Sequence, residues 1–354
     1  MEGSMNVPVL PVLRPLRLGE LLDQAVRLYR RNFLSFVGMI ALGYIPYAVI
    51  QIAASALSIY STQNIGASPQ ALYTSVPYWL SILGSLLSGL VYVVFVSGLG
   101  TAALTNAISR NYLGQKTSIL EAYQQLGSSW VQLLLTLLLF SLLAVVAFIW
   151  MIIPCVGWLT GPGLLVFLGG VVAQIIPPIV VIEKTNGIEA MSRAWHLARR
   201  RFWWLVGFAV IFYLFNLLVV SGPTALISYF AAILLRQGGI LQNASMLSTL
   251  ISSVAGSLIY LLVLPIQLTA WTLVYFDLRV RTEGFDLALL TLNPSEDAIT
   301  DMASLPTTAP TQGWLTGEDV GKFVVITLVI GGLYALLFGL LAVLGAGLSL
   351  FRGL

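Results

Sequence analysis

Five stretches of this chain contain no Asp, Glu, Lys or Arg: Asn32 to Ser109, Ala122 to Ile182, Phe202 to Leu235, Gln237 to Phe276 and Phe323 to Phe351. A helix that crosses a bilayer needs about 20 mainly apolar residues, roughly 30 Å at helical rise. The first two stretches have room for two crossings each. They are divided by "STQNIGASPQALYTSVPY" and "PCVGWLTGPG", segments that a helix disfavours. Spans are therefore expected near 33–57, 79–107, 130–153, 163–182, 203–221, 249–276 and 323–347. Inside hydrocarbon the backbone must satisfy its own polar groups, which helices do internally, so the expected fold is an all-α polytopic transmembrane bundle. A β-barrel would need strands of about ten residues with dyad alternation. The runs here are too long and too uniformly apolar for that.

Composition narrows the chemistry. Only 9% of residues are charged and mean hydropathy is +0.93, against about 25% charged in soluble chains. A net charge of +3 without a clustered basic face argues against a nucleic-acid partner. The lone cysteine, Cys155, has no intrachain disulfide partner, and the lone histidine, His196, makes no His/Cys metal set. No cofactor or metal is expected. Residues 1–31 are too polar to read as a secretory signal. None of the expected spans contains an ionisable Asp, Glu, Lys or Arg, which weakens an ion-coupled relay. Pro46, Pro177, Pro178 and Pro265 fall within spans. They fit either broken helices at a transport site or ordinary kinks.

The basic residues choose a side. With seven spans, fifteen of the 17 Lys and Arg residues share one face, and only Arg236 and Arg352 lie opposite. The positive-inside rule then places the amino terminus in the cytoplasm. Contact with membrane lipids follows, and a membrane or cytoplasmic protein partner stays open.

A unit of one amphipathic segment followed by two spans recurs three times. The segments are "RLGELLDQAVRLYRRNF", "SILEAYQQLGSSW" and "GIEAMSRAWHLARRRFW". Each begins with an aliphatic residue and a glutamate (Glu20, Glu121, Glu189) and ends at an aromatic residue opening a span. Leu18, Leu21, Leu22, Ala25, Leu28 and Tyr29 share one face of the first. Ile188, Met191, Ala194, Trp195 and Ala198 share one face of the third. Helices near 18–31 and 187–200 are expected to lie partly in the headgroup plane, or else to continue each span into the cytosol. The expected organisation is a six-span domain over 1–286 (units of about 16–108, 118–183 and 187–286), a flexible cytoplasmic linker over 287–321, and an appended seventh span over 322–354. The linker expectation rests on its Ser, Thr, Pro and acidic content.

Span six ends in the densest polar motif, "YFDLRVRTEGFDL". Alternation at spacing two puts its charges off any single helix face, so the stretch is expected to be extended or turned, with Gly284 adopting a conformation that other residues resist. Asp277, Arg279, Arg281, Glu283 and Asp286 are the candidate site residues. In one reading the acids pair with basic residues of the amphipathic helices in a cytoplasmic rim. In the other the arginines hold lipid headgroups or a partner's carboxylates.

At Tyr275, Asp277, Arg279, Arg281, Glu283 and Gly284, in the repeat units, and in "RPLRLGELLDQAVRLYRRNF", the chain resembles uncharacterised prokaryotic integral membrane proteins related to the membrane domain of glycerophosphoryl diester phosphodiesterase. The resemblance covers about 14–290. It implies a prokaryotic cell membrane and proximity to lipid. In the enzyme-fused members this kind of region anchors a separate catalytic barrel, and a single histidine and a 35-residue linker cannot supply such a barrel here. No paired carboxylates, metal ligands or nucleophile–base set mark the spans. The leading expectation is a non-catalytic membrane scaffold or accessory protein, with a transporter or translocator of a lipid or small amphipathic substrate as the alternative. For the latter, Gln51, Asn106, Gln174 and Gln267 could line a polar path, or could simply hydrogen-bond between helices.

Overall fold

The computed structural model describes residues 14–64, 73, 75–115, 117–237, 244–287 and 315–351. Among these, every regular element is a helix. Three are short: α1 (Leu18–Arg31), α4 (Ile119–Gln124) and α7 (Gly187–Arg200). Seven are long and apolar enough to cross a membrane: α2 (Phe33–Asn64), α3 (Val76–Tyr112), α5 (Ser129–Trp150), α6 (Val156–Glu183), α8 (Phe202–Leu235), α9 (Ala244–Glu283) and α10 (Gly317–Phe351). The chain is an all-α, multi-pass membrane protein, and its outer surface carries the lipid-facing apolar side chains that such a bundle requires, among them Leu34, Leu86, Ile152 and Leu218.

The three short helices begin alike. Their N-cap residues Arg17, Ser118 and Asn186 have nearly the same extended backbone, with φ/ψ of −75/157, −77/164 and −70/159. The recurring glutamates all fall at the third helical position. There Glu20 accepts from the Arg17 N–H at 3.1 Å, and Glu121 accepts from the Ser118 N–H at 2.9 Å. A carboxylate at this position satisfies an amide that the helix itself leaves without a partner. The shared motif is therefore a helix-start signal. The second unit departs from expectation: α4 stops after six residues, and Gly127 at φ 52 turns the chain into α5.

α6 is the centre of the bundle. Two-thirds (67%) of its most apolar window is buried, whereas no other span exceeds 33%. It packs against α3, α5, α7 and α9, and Ile175, Ile176, Ile179, Val180 and Ile182 are fully enclosed. A second apolar cluster joins α2 to α3 and α9 through Phe36, Met39, Ile40, Leu104, Ile108 and Leu264.

Four expectations need correction. Two spans are divided near "PCVGWLTGPG" as expected, but only Met151–Cys155 form the turn, so that segment contributes its first two residues to it and α6 starts at Val156 instead of near 163. Its glycines serve close packing: a Cβ on Gly157 would sit 2.2 Å from the Trp150 carbonyl oxygen. Span five does not stop at 221. A π-helical stretch, Leu217–Ser221, carries the helix on through Gly222 and Pro223. The last helix begins at Gly317, inside the stretch read as linker, while 288–314 lie outside the described residues. Of the residues read as sharing one face of α7, Ala194, Trp195 and Ala198 are buried, but Ile188 is 69% exposed. Ala190 and Leu197 join the buried side. Helices α2, α6 and α9 run without interruption through Pro46, Pro162, Pro177, Pro178 and Pro265.

Candidate functional site

The charged side chains gather at one end of the bundle, where α6 and α9 end, α10 begins and α7 connects α6 to α8. α9 explains how charges come to be buried there. Its 40 residues span about 60 Å, twice the roughly 30 Å of hydrocarbon, so its last turns can leave the lipid while still enclosed by protein.

Four charged side chains and a tyrosine form a closed ring. The Tyr275 hydroxyl donates to Glu183 at 2.7 Å, and Arg279 donates to the Tyr275 oxygen at 3.2 Å and to Glu283 at 3.1 Å. Arg193 donates to Glu283 at 2.8 Å and closes the circuit with a short bond to Glu183. Two carboxylates face two guanidiniums, so the ring is electrically balanced. None of the four charged side chains is more than 12% exposed. Arg279 also lies 4.2 Å above the Phe285 ring. That ring is folded beneath it by Gly284 at φ 64, a conformation that costs an L-residue a Cβ clash. Burial alone would pull Arg193 down; its bonds to Glu283 and Glu183 outweigh this and hold it above its ordinary value.

Beside the ring, Asp277 and Arg281 grip the backbone of one residue, Leu16, on both sides of its α-carbon. The Leu16 N–H donates to Asp277 at 2.8 Å, and Arg281 donates to the Leu16 carbonyl at 2.7 Å. Arg281 and Arg201 both pair with the fully buried Asp277, at 2.9 and 3.2 Å. Burial and the neighbouring Arg281 lower Arg201 below its usual range, against the pull of Asp277.

The third group fastens α10. Arg199 meets Asp319 at 2.6 Å, and the Thr316 N–H and hydroxyl both donate to that same carboxylate. Deeper in, α10 touches α6 almost backbone to backbone. A Cβ on Gly163 would fall 2.0 Å from the Phe323 carbonyl oxygen, and the Gly163 N–H donates to the Thr327 hydroxyl at 2.9 Å.

Of the five residues singled out by sequence, Asp277, Arg279, Arg281 and Glu283 belong to these groups, while Asp286 lies beyond the Gly284 turn, outside the bonds described above. The stretch 277–283 is helical, not extended. Its spacing-two alternation consists of two interleaved i,i+4 pairs, Asp277–Arg281 and Arg279–Glu283, the spacing at which opposite charges meet on a helix. Glu183, Arg193, Arg199, Arg201 and Asp319 were not singled out by number as site residues, and Tyr275 entered only through the resemblance, although acids paired with basic residues of the amphipathic helices were expected, as in Glu283–Arg193 and Asp277–Arg201. Their pairing depends on which helices become neighbours, although Glu183, an acid ending a long apolar run, was a visible signal.

α1 presents a different charged surface. Leu21 and Ala25 are buried, and Tyr29 donates to the Leu262 carbonyl of α9 at 2.8 Å. Arg27, Arg30 and Arg31 point outward and are exposed.

Within the bundle, Tyr44, Tyr47, Tyr92 and Tyr260 converge from α2, α3 and α9, with Tyr44 stacked on Tyr260 and the Tyr92 and Tyr260 hydroxyls 3.5 Å apart. Ser88 donates to Gln51 one layer away. The other amides do not join this column: Asn106 bonds to the Ala122 carbonyl, Gln174 bonds within its own helix, and Gln267 shares in neither bond. Among the described residues no group of His, Cys, Asp and Glu could hold a metal ion.

Comparisons with family models, curated proteins and solved structures found no match for this chain.

Proposed function

We propose that this chain is a non-catalytic integral membrane scaffold or accessory protein, holding lipid or protein partners at a cytoplasmic face formed by the charged end of the bundle. The observation that carries the reading is the mutual closure of the buried charges. The ring of Glu183, Arg193, Glu283, Arg279 and Tyr275 is satisfied and neutral within itself. It joins α6, α7 and α9 into a fixed platform. The excess of basic residues at this end supports a cytoplasmic orientation in a prokaryotic cell membrane. The amphipathic character of α1 and α7 supports their lying along the headgroups. The shared helix starts at Glu20, Glu121 and Glu189 support descent of the architecture from three related units. Kinship with the membrane domain of glycerophosphoryl diester phosphodiesterase rests on the motif from Tyr275 to Gly284 and is part of the same proposal.

A second reading, a translocator of lipid or of a small amphipathic molecule, is favoured by the tyrosine column and by the π-helical stretch Tyr92–Gly100 beside it, since π-bulges recur at functional sites. Reconstitution into vesicles carrying a fluorescent phospholipid separates the two. The scaffold reading expects no acceleration of lipid exchange between leaflets. Acceleration that is lost in Tyr92→Phe with Tyr260→Phe would overturn it. Labelling of a cysteine at position 305 from the cytoplasmic side only is the expected topology, and labelling from the outside only would reverse the orientation.

A further inference from the structure

We infer that Arg27, Arg30 and Arg31 of α1 form a binding site for the headgroup of an anionic phospholipid. The inference rests on the membrane-scaffold reading above and names its ligand class. Among the described residues, none of these three arginines makes an ion pair, hydrogen bond or ring contact, although α7 places its corresponding arginines in such bonds. Positions 27, 30 and 31 are related by i,i+3 and i,i+4 spacing, so their side chains leave the helix as neighbours. Together with Asp23 and Val26 they line a concavity of about 420 Å³. Three cations on one helix face make a positive surface that an anion neutralises, and Asp23 offsets only one of them.

The occupant is fixed by what adjoins the site. One residue beyond Arg31 the chain turns at Asn32 and enters the first span, where Phe33 is 39% and Leu34 81% exposed. The guanidiniums therefore stand where apolar lipid-facing surface begins. A phosphodiester joined to acyl chains meets both at once: the phosphate oxygens accept from the arginines while the chains lie along Leu34. A guanidinium suits phosphate better than a compact ammonium does, because its planar fork donates two bonds in parallel. The Asp23 carboxylate on the same concavity is an acceptor for a headgroup hydroxyl and an obstacle to a bare phosphate, which favours a hydroxylated headgroup such as glycerol. An acidic protein segment would match the charge but leaves Leu34 without a partner.

The test counts lipid on the purified full chain by native mass spectrometry, with short-chain phosphatidylglycerol, phosphatidylcholine and inorganic phosphate as separate probes. Wild type is expected to retain phosphatidylglycerol over phosphatidylcholine and to show no discrete phosphate adduct. The triple variant Arg27→Gln, Arg30→Gln, Arg31→Gln should bind phosphatidylglycerol about a hundredfold more weakly with an unchanged unfolding temperature in lipid-free detergent. Arg200→Gln, an exposed arginine at the matching end of α7, is the control and should bind as wild type. Equal binding by the triple variant, or an equal loss in Arg200→Gln, overturns the inference. Should the triple variant fail to fold, the single variants carry the same comparison. Loss of this site leaves the vesicle-exchange result untouched, so its failure and that of the scaffold reading are told apart.

Discussion

α1 and α7 are each 14 residues long and end in paired arginines, and each turns directly into a span that opens with phenylalanine. Even their terminating residues agree: Asn32 has φ/ψ of −117/23 and Arg201 of −128/42. Their arginines nevertheless have opposite fates. On α7 Arg193 and Arg199, and just past its end Arg201, face carboxylates from α6, α9 and α10. On α1 the side chains at 27, 30 and 31 face outward. The difference is set by the neighbours. α7 is surrounded by helix ends that bring Glu183, Asp277, Glu283 and Asp319, whereas α1 packs along a more apolar length of α9. One amphipathic pattern thus yields a structural clasp in one setting and an open cationic face in the other.

The contrast breaks most visibly at α7. Arg193→Ala leaves Glu183 and Glu283 short of a partner in a site closed to water, and such an uncompensated buried charge costs about 3–5 kcal/mol. Thermal unfolding in detergent should show a large drop. A drop no greater than that of Arg30→Ala would mean that the ring contributes no stability. A smaller but still marked loss is expected at the α6–α10 contact. Gly163→Ala drives a methyl group into the Phe323 backbone, an overpacking strain of about 1–3 kcal/mol. Hydrogen exchange along Gly317–Leu328 should rise while that of α9 stays slow; unaltered exchange would refute the close approach. Arg30→Ala is expected to move stability by only about 0–1 kcal/mol, since an exposed charge loses little. A loss rivalling Arg193→Ala would show that α1 is clasped as α7 is.

The smallest effect concerns pH. Burial, then Arg199 and Arg200, lower His196 below its ordinary 6.5. The unfolded chain therefore takes up a proton first as pH falls. Stability should be level above about 6.5, decline below it, and level again once the folded histidine is protonated. His196→Gln should flatten that decline, and an unchanged profile would assign the dependence to the carboxylates instead. The effect is small because His196 is only half-buried.

Apolar runs made the seven spans and the limits of α1 and α7 legible, because length and helical periodicity are local properties of a sequence. Two kinds of feature were misread. Glycine and proline in "PCVGWLTGPG" were read as helix breakers, yet at Gly157 and Gly163 the missing side chain is what lets backbones touch. The alternating charges after Tyr275 were read as a strand-like period, when the same spacing contains two helical pairs. The places of Glu183 and Arg193 in the buried ring lay out of reach for a different reason. Glu183 and Glu283 meet at Arg193 only after α6, α7 and α9 have assembled, and a single sequence does not state which helices become neighbours.

The grip of Asp277 and Arg281 on Leu16 joins positions 261 residues apart. At a synthesis rate of about 5–20 residues per second, Leu16 waits roughly 10–50 s before its partners exist. During that interval Leu16 lacks the side chains that hold its backbone, and Asp277, once it emerges, needs Leu16 to complete its set of donors. The contact therefore records completion. A ribosome-bound chain halted before Asp277 should expose residues 14–17 to protease, and one extended past Arg281 and freed from the exit tunnel should protect them, so the order of synthesis is written into which end of the molecule closes last.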